Sequence, residues 1–330
     1  MLYLDADDVF EALTLDEVMA GVEEALHIYE AGDFVMPERL AVRTGAADQL
    51  LLMPCAAEGH MVTKLVSVYP GNKAHGRPVI DGLVVLYDRA TAEILSLMDG
   101  KTITALRTGA VTGVSVARLA REDAKTVGLV GCGVQGYFQV IYAAAVRDIR
   151  GVALYDVDAV AGAALGQQLR STLPNVEIAV ADSPEALAWA SDIIITATTA
   201  RKPVFADDPD LFVGKHCVAI GSFEPDVREY PDALFSLVEK VWVDIDFAKE
   251  ESGELMVPLE KGLLKEDQIE TLGHFIASGE PPARGAFGTT FSKSVGMALF
   301  DLITARRAYA RAHDLGLGIE LSSKVAAPDL

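Results

Sequence analysis

A chain of 330 residues exceeds what one ordinary hydrophobic core requires, so two domains are expected. With 51% hydrophobic and 23% charged residues and no low-complexity tract, the composition is that of a soluble globular protein. The formal charge of −20 opposes nucleic acid and anionic membrane surfaces, so an anionic substrate would need concentrated local positive charge.

The chain opens Met1-Leu2-Tyr3-Leu4-Asp5-Ala6-Asp7-Asp8, with acids where a signal peptide carries positive charge. Cys55, Cys132 and Cys217 are widely spaced and odd in number, which suits a reducing compartment, and a cytoplasmic location is expected. The first strand covers Met1 to Leu4. Thr14-Leu15-Asp16-Glu17 then reads as a capping box for a helix running to about Ala31 and ended by Gly32. From Leu40 to Met98 the pattern changes to strands: Gln49–Met53, Met61–Tyr69, Leu83–Tyr87 and Glu93–Met98. Pro54, Pro70-Gly71-Asn72 and Pro78 mark the breaks. Lys101 to Leu119 reads as a long helix leaving this antiparallel or mixed sheet.

Next comes Val127-Gly128-Leu129-Val130-Gly131-Cys132-Gly133-Val134-Gln135-Gly136, the longest charge-free apolar stretch being Val127 to Val146. That stretch has transmembrane length, but its glycines, Gln135 and Gln139 favour a buried strand-turn-helix. In a G-x-G-x-x-G turn the first glycine permits the bend and the second lets the backbone approach a pyrophosphate. The third allows close packing of helix on strand. The strand Gly151–Tyr155 ends in Asp156, twenty residues after Gly136. An acid at that place accepts ribose hydroxyls and repels a 2′-phosphate, so NAD is expected over NADP. Val134 and Gln135 would lie beside the phosphates.

Alternating helices and strands follow, with a helix near Ala159–Leu173, a strand at Val176–Val180 and a helix capped by Ser183. Further strands are expected at Asp192–Thr196, His216–Ile220 and Val241–Asp244, and a last helix at about Ser292–His313. The fold class is therefore α/β. A doubly wound parallel-sheet (Rossmann) dinucleotide domain is expected at about 118–303. A second α/β domain is expected from 1–117 with about 304–330. Six scattered histidines show no metal-binding spacing, so no metal is expected.

Several separated motifs together resemble the ornithine cyclodeaminase/mu-crystallin superfamily over nearly the whole chain. They are Met53-Pro54, Thr63-Lys64-Leu65-Val66, Tyr69-Pro70-Gly71-Asn72, Asp99-Gly100, and Ala105-Leu106-Arg107-Thr108-Gly109-Ala110. Gly131-x-Gly133-x-Gln135, Thr196-Ala197-Thr198-Thr199, Gly221-Ser222 with Pro225 and Glu229, and Phe291-x-x-Ser294-Val295-Gly296 complete the set. The resemblance implies a nicotinamide domain, a domain for substrate and dimerisation, and chemistry on a small amino or imino acid. It also implies that Lys64, Arg107 and Arg39 bind the substrate carboxylate, with Arg43 an alternative to Arg39.

Lys64 interrupts an apolar strand, where an unpaired ammonium would be costly, and arginine pairs with carboxylates in a forked geometry. Lys64 or an ordered water would donate the proton, so Lys64 and Arg107 are the catalytic candidates. For the cofactor, Thr108 at the domain crossover could donate to a phosphate, and Thr196 and Thr198 end a strand whose tip would face the cofactor. The resemblance adds Gly221, Ser222 and Ser294, although each hydroxyl reads equally well as an ordinary strand-end or cap group.

Cyclodeaminases resemble one another in an aspartate two residues before a proline, and here that position is Phe223 in Gly221-Ser222-Phe223-Glu224-Pro225. This demotes ornithine cyclodeamination. It favours the reductase-like branch, which contains ketimine and 1-pyrroline-2-carboxylate reductases and archaeal-type alanine dehydrogenases. A cyclodeaminase and a non-catalytic ligand-binding protein of the mu-crystallin type remain the alternatives. The substrate's side chain and the physiological direction are open.

Overall fold

The computed structural model describes residues 1–45, 48–222 and 224–322, without the side chain of Lys73. The chain divides into two compact units. One is Met1–Arg107 with the chain from Met297 onward, and the other is Thr108–Gly296.

In the first unit β1 (Leu2–Leu4) leads into α1 (Ala6–Ala12), whose first turn is capped by Asp5 accepting from the Asp8 N–H. α2 (Leu15–Ala31) begins at a reciprocal box: Thr14 Oγ1 accepts the Glu17 N–H at 3.2 Å, and Glu17 Oε2 accepts the Thr14 N–H at 2.9 Å. Each bond satisfies a helix-end donor that has no partner within the helix. Gly32, at φ +71°, closes α2 in the left-handed conformation. Val18, Val22, Ala25 and Leu26 form its buried stripe.

The strands β2 (Leu40–Arg43), β3 (Gln49–Ala57), β4 (His60–Val68), β5 (Ile80–Asp88) and β6 (Ile94–Asp99) then lead to α3 (Gly100–Leu119). β3 does not stop at Pro54, as expected from sequence, but continues to Ala57. Ala56 exchanges backbone bonds with Val35, and the two-residue period turns position 54 to that same side. There β2 has already ended, its last partner on β3 being Leu52, so no ladder bond is lost to the proline.

The second unit winds β7 (Thr126–Val130), α4 (Val134–Val146), β8 (Gly151–Tyr155), α5 (Ala159–Thr172), β9 (Glu177–Val180), α6 (Pro184–Trp189), β10 (Ile193–Thr196) and β11 (His216–Ala219). There follow α7 (Asp232–Phe235), β12 (Val241–Val243), α8 (Ala248–Glu251), α9 (Gly253–Glu260), β13 (Ile269–Thr271), α10 (Leu272–Ser278) and β14 (Thr290–Lys293). The sheet is parallel throughout, in the order β13-β12-β14-β11-β10-β7-β8-β9. Ile193, Ile194 and Ile195 are fully buried, as expected of a strand covered on both faces. Strand order reverses at β7, with β8 and β9 on one side and β10 onward on the other. This is the topological switch point at which doubly wound sheets take ligands beyond the strand C-termini.

The helix expected from Ser292 instead starts at Ala298, as α11 (Ala298–Leu315), because Thr290–Lys293 is the central strand β14. The intervening turn is held by Asp244, which accepts from Ser294 Oγ at 2.6 Å and from the Gly296 N–H at 2.7 Å. Gly296 takes φ +76°, a left-handed conformation that favours glycine. α11 and β15 (Ile319–Glu320) return to the first unit, giving a sheet ordered β15-β1-β6-β5-β4-β3-β2 with α11 packed on it and α2 packed on α11. Among the described residues no helix is long and apolar enough to cross a membrane.

Candidate functional site

Alternation along β4 turns Val62, Lys64 and Val66 inward. Lys64 is only 1% exposed, with Met53 of β3 and Val84 of β5 as its register partners. A buried ammonium needs a counter-charge, and α11 supplies it. Lys64 Nζ lies 2.8 Å from Asp301 Oδ2, while Arg107 Nε on α3 donates to Asp301 Oδ1 at 3.1 Å. Asp301 is fully buried and Arg107 nearly so.

Burial first, and then the Arg107 guanidinium, push the Lys64 amine down to about 8 against the pull of Asp301. Burial works to raise the Asp301 carboxyl, but Lys64 and Arg107 outweigh it and hold it below the usual carboxylate range. Arg39 is half-buried and near enough to depress the Lys64 amine further. Arg43, the alternative, is exposed at the outer end of β2, opposite Gln49. One carboxylate thus faces two buried cations and a third nearby, and the excess positive charge in this dry place is suited to an incoming anion.

Asp301 was not singled out from sequence. The signal was present: it is an acid inside Leu299-Phe300-Asp301-Leu302-Ile303, the same kind of interruption that marks Lys64.

In the second unit the glycine turn joins β7 to α4. Gly131 takes φ +100°, and a Cβ there would stand 2.5 Å from the Ala197 carbonyl oxygen. A Cβ on Gly136 would stand 2.4 Å from the Gly131 carbonyl oxygen, so helix and turn meet only without a side chain. Around Gly133 the space is open. Gly133 begins α4 with no side-chain cap and no acid in the first turn, while Val134 is 73% exposed and Gln135 half-buried. The N–H groups of that turn therefore point, with the helix dipole, into space a phosphate can fill.

Asp156, half-buried, accepts the Cys132 N–H on Oδ2 at 2.7 Å and the Asp158 N–H on Oδ1 at 2.9 Å. Each oxygen keeps a lone pair for a ribose hydroxyl. These features fit a dinucleotide.

The hydroxyls proposed for the cofactor on the other side of the switch point serve the protein itself. Thr196 donates to the Val218 carbonyl at 3.4 Å, and Thr198 donates to Glu229 at 2.8 Å. Ser222 donates to Glu254 at 3.3 Å and Ser294 to Asp244. Thr108 is buried on α3. Gly221 borders this cluster, in which burial and then the neighbouring Glu229 push the Glu254 carboxyl up to about 7. Phe223 lies outside the described residues. Of the nearby acids, Asp226 is exposed and ion-paired with Arg201. Among the described residues no group of His, Cys, Asp and Glu is arranged to hold a metal.

The model of the ornithine cyclodeaminase/mu-crystallin family matches residues 2–316. A Δ1-pyrroline-2-carboxylate reductase of Bacillus cereus is 35% identical over 325 residues, 96% of this chain and 98% of that one. Among solved structures, the Δ1-pyrroline-2-carboxylate reductase of Thermococcus litoralis in complex with NADH and L-proline superposes with a TM-score of 0.90 at 31% identity. It covers 97% of this chain and 100% of that one. An archaeal alanine dehydrogenase dimer with bound NAD gives a TM-score of 0.87 at 28% identity, covering 98% of this chain and 99% of that one. The chain belongs to the ornithine cyclodeaminase/mu-crystallin family.

Proposed function

We propose that this protein is an NADH-dependent oxidoreductase that reduces the C=N bond of a 2-imino acid to the L-amino acid. The observation that carries the reading is the buried excess of positive charge at Lys64 and Arg107 over Asp301. The glycine turn and Asp156, and the similarity to reductases and dehydrogenases solved with NADH or NAD, support the cofactor.

When bound, the nicotinamide supplies a hydride to the imine carbon. The residues of this chain bind and orient. Arg107, Lys64 and Arg39 hold the carboxylate, which fixes the imine carbon and removes much of the entropic part of the barrier. Lys64 also carries a proton that can pass to the imine nitrogen, since its depressed amine loses it readily near neutrality. Gly131, Gly133 and Gly136 with Val134 and Gln135 receive the pyrophosphate, and Asp156 receives the adenosine ribose. Thr108, Thr196, Thr198, Gly221, Ser222 and Ser294 shape the remaining contacts.

A homodimer is the proposed assembly. It is supported by the archaeal dimer and by apolar side chains left exposed on the first unit's sheet, Leu40 at 59% and Val42 at 44%. The three buried free thiols suit the proposed cytoplasmic setting.

The test is NADH oxidation with 1-pyrroline-2-carboxylate, 1-piperideine-2-carboxylate, and pyruvate with ammonia, beside an ornithine control scored for ammonia and proline. Imine-dependent loss of NADH is expected. Ammonia and proline from ornithine without net change in NADH would overturn the reading in favour of a cyclodeaminase. Ligand binding with no turnover on any substrate would make it a binding protein.

The pH profile follows from Lys64. Its protonated form is the active one, so kcat/KM for reduction should be level below and fall above about pH 8. In Lys64→Arg the residual activity should lose this limb, because a guanidinium stays charged across the range. A limb that persists unchanged in that variant belongs to the substrate instead.

A further inference from the structure

Two buried carboxylates sit at the C-terminal edge of the second unit's sheet without a part in the chemistry above. Glu229 is fully buried. Its Oε1 accepts both the Thr198 N–H and the Thr198 hydroxyl at 2.8 Å, and its Oε2 accepts the Gly221 N–H at 2.8 Å. One side chain therefore ties the segment leaving β10 to the segment leaving β11.

The approach is tight, since a Cβ on Gly221 would stand 1.9 Å from the Thr198 carbonyl oxygen. Glu229 is itself fixed from behind. Glu254 accepts the Glu229 N–H at 2.7 Å and the Tyr230 N–H at 3.0 Å, and the Glu229 carbonyl accepts the Val204 N–H at 2.9 Å. The buried Lys293 is near enough to act electrostatically on both carboxylates, with Nζ donating to the Ala219 and Ser294 carbonyls. Three donors converging on one carboxylate require an acceptor on both oxygens. A carboxamide has only one, and its amino group would meet an N–H donor.

Asp156 and β8 lie on one side of the switch point, and β10 and β11 on the other. A dinucleotide laid across the strand ends with its adenosine at Asp156 carries its nicotinamide toward β10 and β11. We propose that Glu229 is a positioning residue for the nicotinamide half of the cofactor, acting through Thr198 and Gly221 and leaving the adenosine half untouched. The proposal rests on the dinucleotide reading above.

The experiment is calorimetric titration of the full-length protein and of Glu229→Ala and Glu229→Gln with NADH and with ADP-ribose, beside thermal midpoints. Losing hydrogen bonds to a buried charge should weaken NADH binding by about 10- to 100-fold in Glu229→Ala. Glu229→Gln should be intermediate, and ADP-ribose should stay within about twofold, since its contacts lie across the switch point. Equal losses for both ligands, or no loss for either, overturn the proposal. If Glu229→Ala does not fold, Glu229→Gln decides by the same split. Failure of the unaltered protein to bind either ligand would remove the dinucleotide reading, and this inference with it. Binding of ADP-ribose by an unaltered protein that binds NADH no better would remove this inference alone.

Discussion

Arg107→Ala is expected to lower kcat/KM for the preferred imine by about 10²- to 10³-fold, while the dissociation constant for NADH changes by no more than about twofold. The asymmetry has a structural basis. Arg107 Nε is bound to Asp301, and the guanidinium belongs to the unit that carries Lys64 and Asp301 rather than to the glycine turn. Truncation removes one of the cations offered to the substrate and leaves Asp301 facing Lys64 alone. The remaining pair is close to neutral and has less attraction for a carboxylate. Arg107→Lys should recover only part of the loss, because an ammonium cannot hold Asp301 and a carboxylate in one rigid plane. Steady-state rates with the imine and a separate NADH titration check both halves of the expectation. A loss below about tenfold, with the fold intact, would take Arg107 out of the substrate site.

The second large effect concerns the choice of dinucleotide. The unaltered protein should favour NADH over NADPH by about 10²-fold in kcat/KM, because a 2′-phosphate would be brought against the Asp156 carboxylate. Asp156→Ser should shrink that ratio to about tenfold or less, by weakening NADH and admitting NADPH. Asp156 also holds the Cys132 N–H, so a loosened turn could mimic a change of specificity. Asp156→Asn narrows the causes: it removes the charge and keeps one oxygen acceptor for the Cys132 N–H, giving up only the bond from the Asp158 N–H. If the asparagine variant gains NADPH activity as the serine variant does, charge sets the preference. An unchanged ratio in both variants would remove Asp156 from the cofactor site.

Much of this molecule is written in short stretches of chain. The Thr14–Glu17 box and Gly32 bound α2 at the residues expected, since capping depends on groups three or four positions apart. The strand-turn-helix at Gly131, Gly133 and Gly136 is equally local, and the alternation that follows it is enough to imply a doubly wound parallel sheet. The misreadings have a common form. Thr290–Lys293 is too short to show a period and runs straight into a helical pattern, so only its place between β12 and β11 makes it a strand. β2 is exposed along its length and carries no alternation, and its identity as a strand comes from pairing with β3. Pro54 looked like a terminator because only the register shows that its missing N–H faces the side of β3 on which β2 has already ended.

The candidate site divides along the same line. Residue types in local context sufficed to nominate Lys64, the glycine turn and Asp156, and the family resemblance added Arg107. An ion in an apolar strand, or an acid after one, is improbable without a purpose. Which partners hold them was not legible, even where, as at Asp301, a buried acid was signalled. Asp301 meets Arg107 across 194 residues of chain, and Glu229 reaches Thr198 across 31. The sequence by itself determined the fold class, the family and the cations. Tertiary structure alone decided that one buried carboxylate joins two of those cations, and that the threonine and serine hydroxyls at the strand ends bond inward. The physical reason is distance. Capping, turns and periodicity are settled among near neighbours, while a buried charge finds its partner only when remote segments pack and exclude water.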